Sequence, residues 1–278
     1  MTNLTSADLD WLANLLSEVA AVEIMPRFRN LGAGSVQHKT SAADLVTEAD
    51  VAAERVITAS LKARFPGAVV IGEEAVSETP ALLDGWSRTD ALAFVIDPVD
   101  GTFNFATGVA AFGVMLAVVK DGETIAGIIH DPVGKDWIMA EKAGGARLLR
   151  ADGQSTPLAV SSPARSIGEM IGAASWQQMP EPDRSTMARN QGKCLGNVGY
   201  RCAAQEYRLV SSGHIHFALY NKLMPWDHLA GALIVEEAGG HVRRFDGGAY
   251  RPEHLDGGLL ATTDPDSWQM LREELWAG

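Results

Sequence analysis

Cysteine, positive charge and long apolar runs are all scarce in this chain of 278 residues, and each scarcity removes a class of function. Only Cys194 and Cys202 are present. They are too few for a disulfide scaffold and too far apart for a Cys-x-x-Cys redox pair, so both read as ordinary buried thiols. Lys and Arg number 23 against 35 Asp and Glu, a net charge of −12. That balance repels phosphate backbones and argues against direct nucleic-acid binding. The longest apolar run, Val109 to Val119, is too short to span a bilayer and contains Gly113. Met1 to Asp8 lack the basic segment and apolar core of an export signal, which predicts a cytoplasmic protein with no membrane association. Internal repeats and low-complexity stretches are missing too. What is plentiful is hydrophobic residues, 46% of the chain. At about 150 residues per domain, this length predicts one large or two intimately packed domains.

Hydrophobic periodicity predicts a first helix from Thr5 towards Asn30, capped by Thr5 with Asp8 and ended or kinked by Pro26. Residues 32–40 read as a loop. A second amphipathic helix follows Asp44-Leu45-Val46-Thr47-Glu48-Ala49-Asp50 and stops at Phe65-Pro66-Gly67. Val69-Val70-Ile71 reads as a strand running into Gly72-Glu73-Glu74. Ala91 to Ile96, Phe112 to Lys120, Thr124 to His130, Trp137 to Glu141 and Ala146 to Arg150 read as further strands, giving an antiparallel first half. The second half alternates strands at Met170–Ala174 and Ile215–Tyr220 with helices at Ala203–Ser211 and Trp226–Ala238, an α/β pattern. The division is drawn at residues 1–150 and 151–278, within one unit that shares a cleft.

The stretch Asp97-Pro98-Val99-Asp100-Gly101-Thr102-Phe103-Asn104-Phe105 follows the apolar run Ala91 to Ile96. It puts two carboxylates, a carbonyl and a hydroxyl at the C-terminal end of a buried strand. Asp97 and Asp100 cannot both point into a dry cleft as anions without a compensating charge, and oxygen-only ligation suits a hard cation such as Mg²⁺. Asp-Gly is also an ordinary turn signal, and the chain uses it elsewhere, at Asp121-Gly122 among others. The other acidic clusters, at strand ends or helix starts, turn the balance towards a site. His214 and His216 share a predicted strand face, but no cysteine or third histidine at metal spacing accompanies them, so a zinc site is not indicated.

Taken together, the Asp44–Asp50 segment, Gly72-Glu73-Glu74, the Asp97–Phe105 segment, and Trp226-Asp227-His228-Leu229-Ala230-Gly231 with Glu237-Ala238-Gly239-Gly240 resemble the inositol monophosphatase family. The order of the motifs matches from about Lys39 to Gly240. The resemblance implies a layered αβαβα sandwich of the sugar phosphatase type and Mg²⁺-dependent hydrolysis of phosphate monoesters by metal-activated water, with two or three ions. It places Glu73, Asp97 and the Val99 carbonyl on one metal, and Asp97, Asp100 and Asp227 on a second. Thr102 would orient the attacking water, with Asp50 accepting from its hydroxyl and Glu73 assisting. Gly101 and Thr102 would offer N–H groups to the phosphate, Gly101 by letting the backbone come close, and Lys39 would stand near the same pocket. Family members are commonly dimers, so a homodimer is expected.

The chain departs from inositol-selective members a short way before the Trp-Asp motif, where they carry an acidic residue. Counting back from Asp227 places Tyr220 there, followed by Asn221 and Lys222, which can bind hydroxyls or an anion. Glu206, on the preceding helix, offers an acidic contact instead, and an amine-bearing substrate such as histidinol phosphate would suit it. The expected substrate is a small polyol or amino-alcohol phosphate. A 3'-phosphoadenosine nucleotide or fructose 1,6-bisphosphate is the alternative within the enzyme class, and a family member recruited as a transcription-machinery partner is the alternative outside it.

Overall fold

Two capping boxes set the start of the first two long helices in the computed structural model, which describes residues 4–32, 34–38, 45–84, 86–88, 90–177 and 179–276. Helix α1 (Ser6–Val19) opens with the Thr5 hydroxyl accepting from the Asp8 N–H at 3.2 Å while the Asp8 carboxylate accepts from the Thr5 N–H at 3.0 Å. It passes into a π-helical stretch at Ala20–Ile24, ahead of Pro26, whose missing N–H ends the run. Part of the predicted loop is strand: β1 (Val36–His38) pairs antiparallel with β2 (Leu45–Thr47). Three residues are too few to show a strand's alternation in sequence. Thr47 and Asp50 then form the second capping box, at the start of α2 (Glu48–Arg64).

The chain continues through β3 (Val69–Gly72), α3 (Glu73–Glu78), β4 (Ala93–Asp100), α4 (Thr102–Thr107), β5 (Gly113–Lys120), β6 (Glu123–Asp131), β7 (Asp136–Glu141), β8 (Gly145–Arg150) and β9 (Ser155–Pro157). The second half runs through β10 (Ile171–Ala174), α5 (Asp183–Asn190), β11 (Gly196–Val198), α6 (Ala203–Ser211), β12 (Phe217–Tyr220), α7 (Pro225–Glu237), β13 (His241–Arg244), β14 (Leu259–Thr262) and α8 (Pro265–Trp276). His214 and His216 therefore precede the strand predicted to hold them, and the His216 ring accepts from the Ile171 N–H at 3.1 Å.

Strands β3 to β9 form a seven-stranded sheet in sequence order. The expectation of an antiparallel first half fails at one edge, where β3 and β4 are parallel. They are joined by α3 and residues 79–92 rather than by a hairpin, and such a crossover returns the chain in the same direction. The five-stranded sheet has the order β11-β10-β12-β14-β13, with β10 parallel to both neighbours and β14 antiparallel to both of its own.

Side-chain alternation along the strands explains the layering. On β4, Phe94 and Ile96 pack with Leu12, Leu16, Ile57 and Leu61 from α1 and α2, whereas Ala93 and Val95 pack with Leu229, Ala230 and Leu233 from α7. On β12, Ala218 and Tyr220 belong to that same central core, while Phe217 and Leu219 turn to Leu271 and Leu275 of α8. The layers therefore run helix, sheet, helix, sheet, helix, an α/β sandwich of the αβαβα kind. Helix α7 is buried almost all round because it lies between the two sheets. It approaches β6 so closely that a Cβ on Gly127 would sit 2.7 Å from the Ala230 carbonyl oxygen. Among the described residues, no helix is long and apolar enough to cross a membrane.

Candidate active site

The pairing of β4 with β5 slips where the acidic motif begins. Asp97 lies opposite Met115 and Asp100 opposite Gly113, so three steps on β4 answer two on β5. This extra residue is a β-bulge, and Pro98, which has no N–H to give to a ladder, sits in it. Asp227 comes to the same place from the first turn of α7, whose start is fixed by Pro225 at a position where a missing N–H costs nothing. One carboxylate oxygen from each of Asp97, Asp100 and Asp227 lies within 4.8 Å of the others.

Electrostatics mark this as a place crowded with negative charge. Burial, followed by the charges of Glu73, Asp100, Asp227 and Asp50, pushes the Asp97 carboxyl well above the usual carboxylate range. Asp227 is raised well above it too, by burial and then by Glu73 and Asp100. Burial lifts Asp100 to about 6, against the lowering effect of the Ala204 N–H and the Cys202 thiol. Three carboxylates cannot share this space as anions on their own, and an oxygen-only donor set fits a hard divalent cation. The residues present therefore fit a metal.

Glu73 stands outside the 4.8 Å grouping, yet its charge reaches all three members. Glu73 and Glu74 do not leave a strand on opposite faces, as adjacent strand residues would; β3 ends at Gly72 and both glutamates open α3. The group that fixes this turn is Glu54, which sequence reading passed over. Its carboxylate, buried on α2, accepts the Glu74 N–H at 2.8 Å and the Ala75 N–H at 2.9 Å. A Cβ on Gly72 would lie 2.2 Å from the Glu54 carboxyl carbon, so glycine is what admits this cap.

Gly101 has φ of 86°, in the left-handed region, and precedes α4. Its Cβ would meet the Ala111 carbonyl oxygen at 2.9 Å and Cys202 at 3.2 Å, so packing as well as backbone conformation calls for glycine here. The Thr102 hydroxyl lies 3.2 Å from Asp50 Oδ1 and 3.0 Å from the Val99 carbonyl oxygen, and donates its single proton to one or the other. Thr102, Asp50, Val99, Asp97, Asp100 and Asp227 are thus brought together from α4, α2, β4 and α7. Lys39 lies outside the described residues.

Helix α6 closes the site from the other side. Asp100 Oδ2 accepts the Ala204 N–H at 2.5 Å and the Cys202 thiol at 3.1 Å. Cys202 is buried as expected but is not idle: burial and the Asp100 charge hold its thiol protonated, and so a donor. Cys194 is half-buried rather than buried. Glu206 is no surface residue. It is 3% exposed, and burial followed by the Asp100 charge raises it to about 8. Tyr220 is buried with its ring 4.6 Å from His228 and 5.1 Å from Tyr207. The Tyr207 hydroxyl meets His228 Nδ1 at 3.1 Å, and His228 Nε2 donates to the Lys222 carbonyl at 2.8 Å, which locks the ring beside Asp227.

The sequence profile of the inositol monophosphatase family matches residues 8–277. The chain belongs to this family. It is 31% identical over 221 residues to the fructose-1,6-bisphosphatase/inositol-1-monophosphatase of Thermotoga maritima, covering 77% of this chain and 76% of the relative. The histidinol-phosphatase of Chlorobaculum parvum is 30% identical over 230 residues, 79% of each chain. Nus factor SuhB of Pseudomonas aeruginosa is 32% identical over 218 residues, covering 77% of this chain and 76% of its own. Among solved structures, the extragenic suppressor protein suhB of Bartonella henselae superposes with a TM-score of 0.80 at 26% identity, covering 98% of this chain and all of its own. The Thermotoga maritima IMPase gives 0.78 at 27% identity, covering 97% and 95%. Membership in this family makes the chain a phosphatase-family protein.

Proposed function

We propose that this protein is a magnesium-dependent phosphomonoesterase acting on a small polyol phosphate. The observation that carries the reading is the convergence of Asp97, Asp100 and Asp227 within 4.8 Å, next to the paired Thr102 and Asp50. Glu73, Asp97 and the Val99 carbonyl would hold one ion, and Asp97, Asp100 and Asp227 another. Bound divalent cations supply charge neutralisation on the transferring phosphoryl oxygens and on the leaving alkoxide, and make water a stronger nucleophile.

The chain's own groups hold and move the protons. The Thr102 hydroxyl accepts from water when its proton rests on Asp50, so the pair orients the water and takes up its proton. Glu73 stands ready as a second acceptor. The N–H groups of Gly101 and Thr102 would meet the ester oxygens, and Lys39 would add a further positive group. The Cys202 and Ala204 donors keep one Asp100 oxygen in place and leave the other for the site.

Glu206 gives the amino-alcohol alternative little support, because it is buried and burial disfavours the charged carboxylate that an ammonium would need. The test is phosphate release from a panel of monoesters with and without Mg²⁺, with inositol 1-phosphate and histidinol phosphate as the deciding pair. Mg²⁺-dependent release abolished by EDTA supports the assignment. A failure to hydrolyse any monoester at any Mg²⁺ concentration overturns it.

A further inference from the structure

Asn104 is the one polar member of the Asp97–Phe105 motif that neither metal binding nor proton transfer requires. It lies on α4 two positions after Thr102 and is 7% exposed. Its side-chain nitrogen donates to the Ala111 carbonyl at 2.8 Å and to the Tyr200 carbonyl at 2.6 Å, partners 7 and 96 residues away along the chain. Among side chains of this size only an amide offers two protons from one atom. A hydroxyl has one to give and a carboxylate none.

Both carbonyls belong to backbone that holds Asp100. Ala111 leads into β5, where Gly113 lies opposite Asp100 in the slipped pairing. Tyr200 stands two residues before Cys202, and Cys202 and Ala204 give Asp100 Oδ2 its two donors. The two segments also dock on each other: the Gln205 side chain donates to the Phe112 carbonyl at 3.1 Å, and a Cβ on Gly113 would lie 2.7 Å from that of Ala204. They close around Gly101, whose Cβ would meet both the Ala111 carbonyl oxygen and Cys202. Asn104 therefore reaches from the helix that carries Thr102 to both walls that keep Asp100 in place. Removing its amide takes a donor from each wall at once.

We propose that Asn104 is a positioning residue for the metal site: its two hydrogen bonds set the spacing between the Thr102 arm and the Cys202–Ala204 brace, and so fix the oxygen that Asp100 offers to a cation. The proposal rests on the reading of Asp100 as a metal ligand in a phosphatase. It makes the amide matter for cation affinity as well as for turnover, although both of its protons go to backbone carbonyls. Groups one step removed from a metal ligand typically change metal affinity or activity by about 10- to 100-fold when they are lost.

Asn104→Ala removes the amide, and Asn104→Ser is a milder polar change that admits water to the two carbonyls. Asn190→Ser is the matched control: Asn190 is a buried asparagine that donates to the Leu275 carbonyl at 3.0 Å, between α5 and α8 in the outer layer. Melting temperature in EDTA reports stability, calorimetric titration with MgCl₂ reports cation affinity, and phosphate release reports turnover. Both Asn104 variants are expected to fold, to bind Mg²⁺ about tenfold or more weakly and to lose kcat by a similar factor. Asn190→Ser is expected to melt earlier with its Mg²⁺ affinity unchanged. Combined with Cys202→Ala, Asn104→Ala should weaken Mg²⁺ binding by less than the product of the two single losses, because both act on one brace. Wild-type Mg²⁺ affinity in the Asn104 variants, an equal loss in Asn190→Ser, full multiplication with Cys202→Ala, or failure of both Asn104 variants to fold each overturns the positioning role. A wild-type protein that binds Mg²⁺ but hydrolyses no monoester defeats the phosphatase reading alone, since the affinity comparison needs no turnover. One that binds no Mg²⁺ defeats both.

Discussion

The Asp50 carboxylate divides its two oxygens between its own helix and the Thr102 hydroxyl, 52 residues further along the chain. Oδ2 accepts from the Thr47 N–H at 2.9 Å and from the Thr47 hydroxyl at 2.5 Å, while Oδ1 faces Thr102 at 3.2 Å. The helix start thereby fixes the orientation of the group that would take the proton. Thr102→Val is expected to lower kcat by about 10²- to 10⁴-fold, the usual worth of positioned proton transfer, and Thr102→Ser to stay within about tenfold of wild type. Steady-state kinetics on any hydrolysed monoester provides the check, and a Thr102→Val enzyme of normal kcat would remove the pair from the mechanism.

Neutralising one member of the carboxylate cluster should have opposite effects on stability and on activity. Without cations, Asp97→Asn or Asp227→Asn relieves repulsion that burial intensifies, so the melting temperature of the metal-free protein should rise. The further rise that Mg²⁺ confers on the wild-type protein should shrink or vanish, because ligands have been lost. Turnover should fall by several orders of magnitude. Thermal melts in EDTA and in MgCl₂ separate these effects, and variants that retain both the Mg²⁺ response and normal rates would dismiss the cluster as a metal site.

Gly72 is expected to tolerate no side chain. The methyl of Gly72→Ala would overlap the Glu54 carboxylate, which cannot retreat without releasing the Glu74 and Ala75 N–H groups. Overpacking of this kind costs about 1–3 kcal/mol, and in this case it also loosens the turn that carries Glu73. Urea unfolding measures the first effect. Mg²⁺ affinity measures the second, and a variant as stable and as tightly binding as wild type would contradict the cap.

Acid sensitivity should come in part from His130. It is buried with its ring stacked 5.0 Å from Trp137 and its Nδ1 donating to the Asp136 carbonyl at 3.0 Å. Burial lowers its pKa to about 4, below the unfolded value near 6.5. Between those values the unfolded chain binds a proton that the folded protein refuses. The stability present above about pH 6.5 is therefore lost as pH falls towards 4, and amounts to about 2 kcal/mol by pH 5. His130→Phe should lose less stability between pH 7 and pH 5 than wild type in urea titrations. Equal losses would show that His130 does not contribute.

The motifs legible in sequence are those whose chemistry is carried by the residue type itself. Carboxylates at the end of an apolar strand, a threonine after Asp-Gly and an aspartate in the first turn of a helix can all be read one at a time, and the structure brings Asp97, Asp100, Asp227, Thr102 and Asp50 together. The groups that position them were not legible. Glu54, Cys202 and Ala204 act through contacts 20 to 104 residues away, and a single sequence shows no sign of such partners; the nearest hint for Glu54 is a glycine directly before two glutamates. Helices α5 and α8 and strands β13 and β14 were missed because their short or mixed apolar patterns gain meaning only when packed. Glu206 reads in sequence as an acidic contact for substrate, but α6 turns it into the interior, 3% exposed.

The slip between β4 and β5 decides what Asp97 and Asp100 can do together. On an ideal strand, side chains three apart project to opposite sides. Asp97 shares the parity of Ala93 and Val95, which pack under α7, whereas an unbroken ladder would aim Asp100 with Phe94 and Ile96 into the packing of α1 and α2. Val99 takes that inward place instead, anchored in the same core as Phe94 and Ile96, and Asp100 swings back to join its partner. Transplanting this turn onto another scaffold would therefore require the shorter step of the neighbouring strand as well as the two aspartates. On a regular hairpin the same residues would turn their backs on each other.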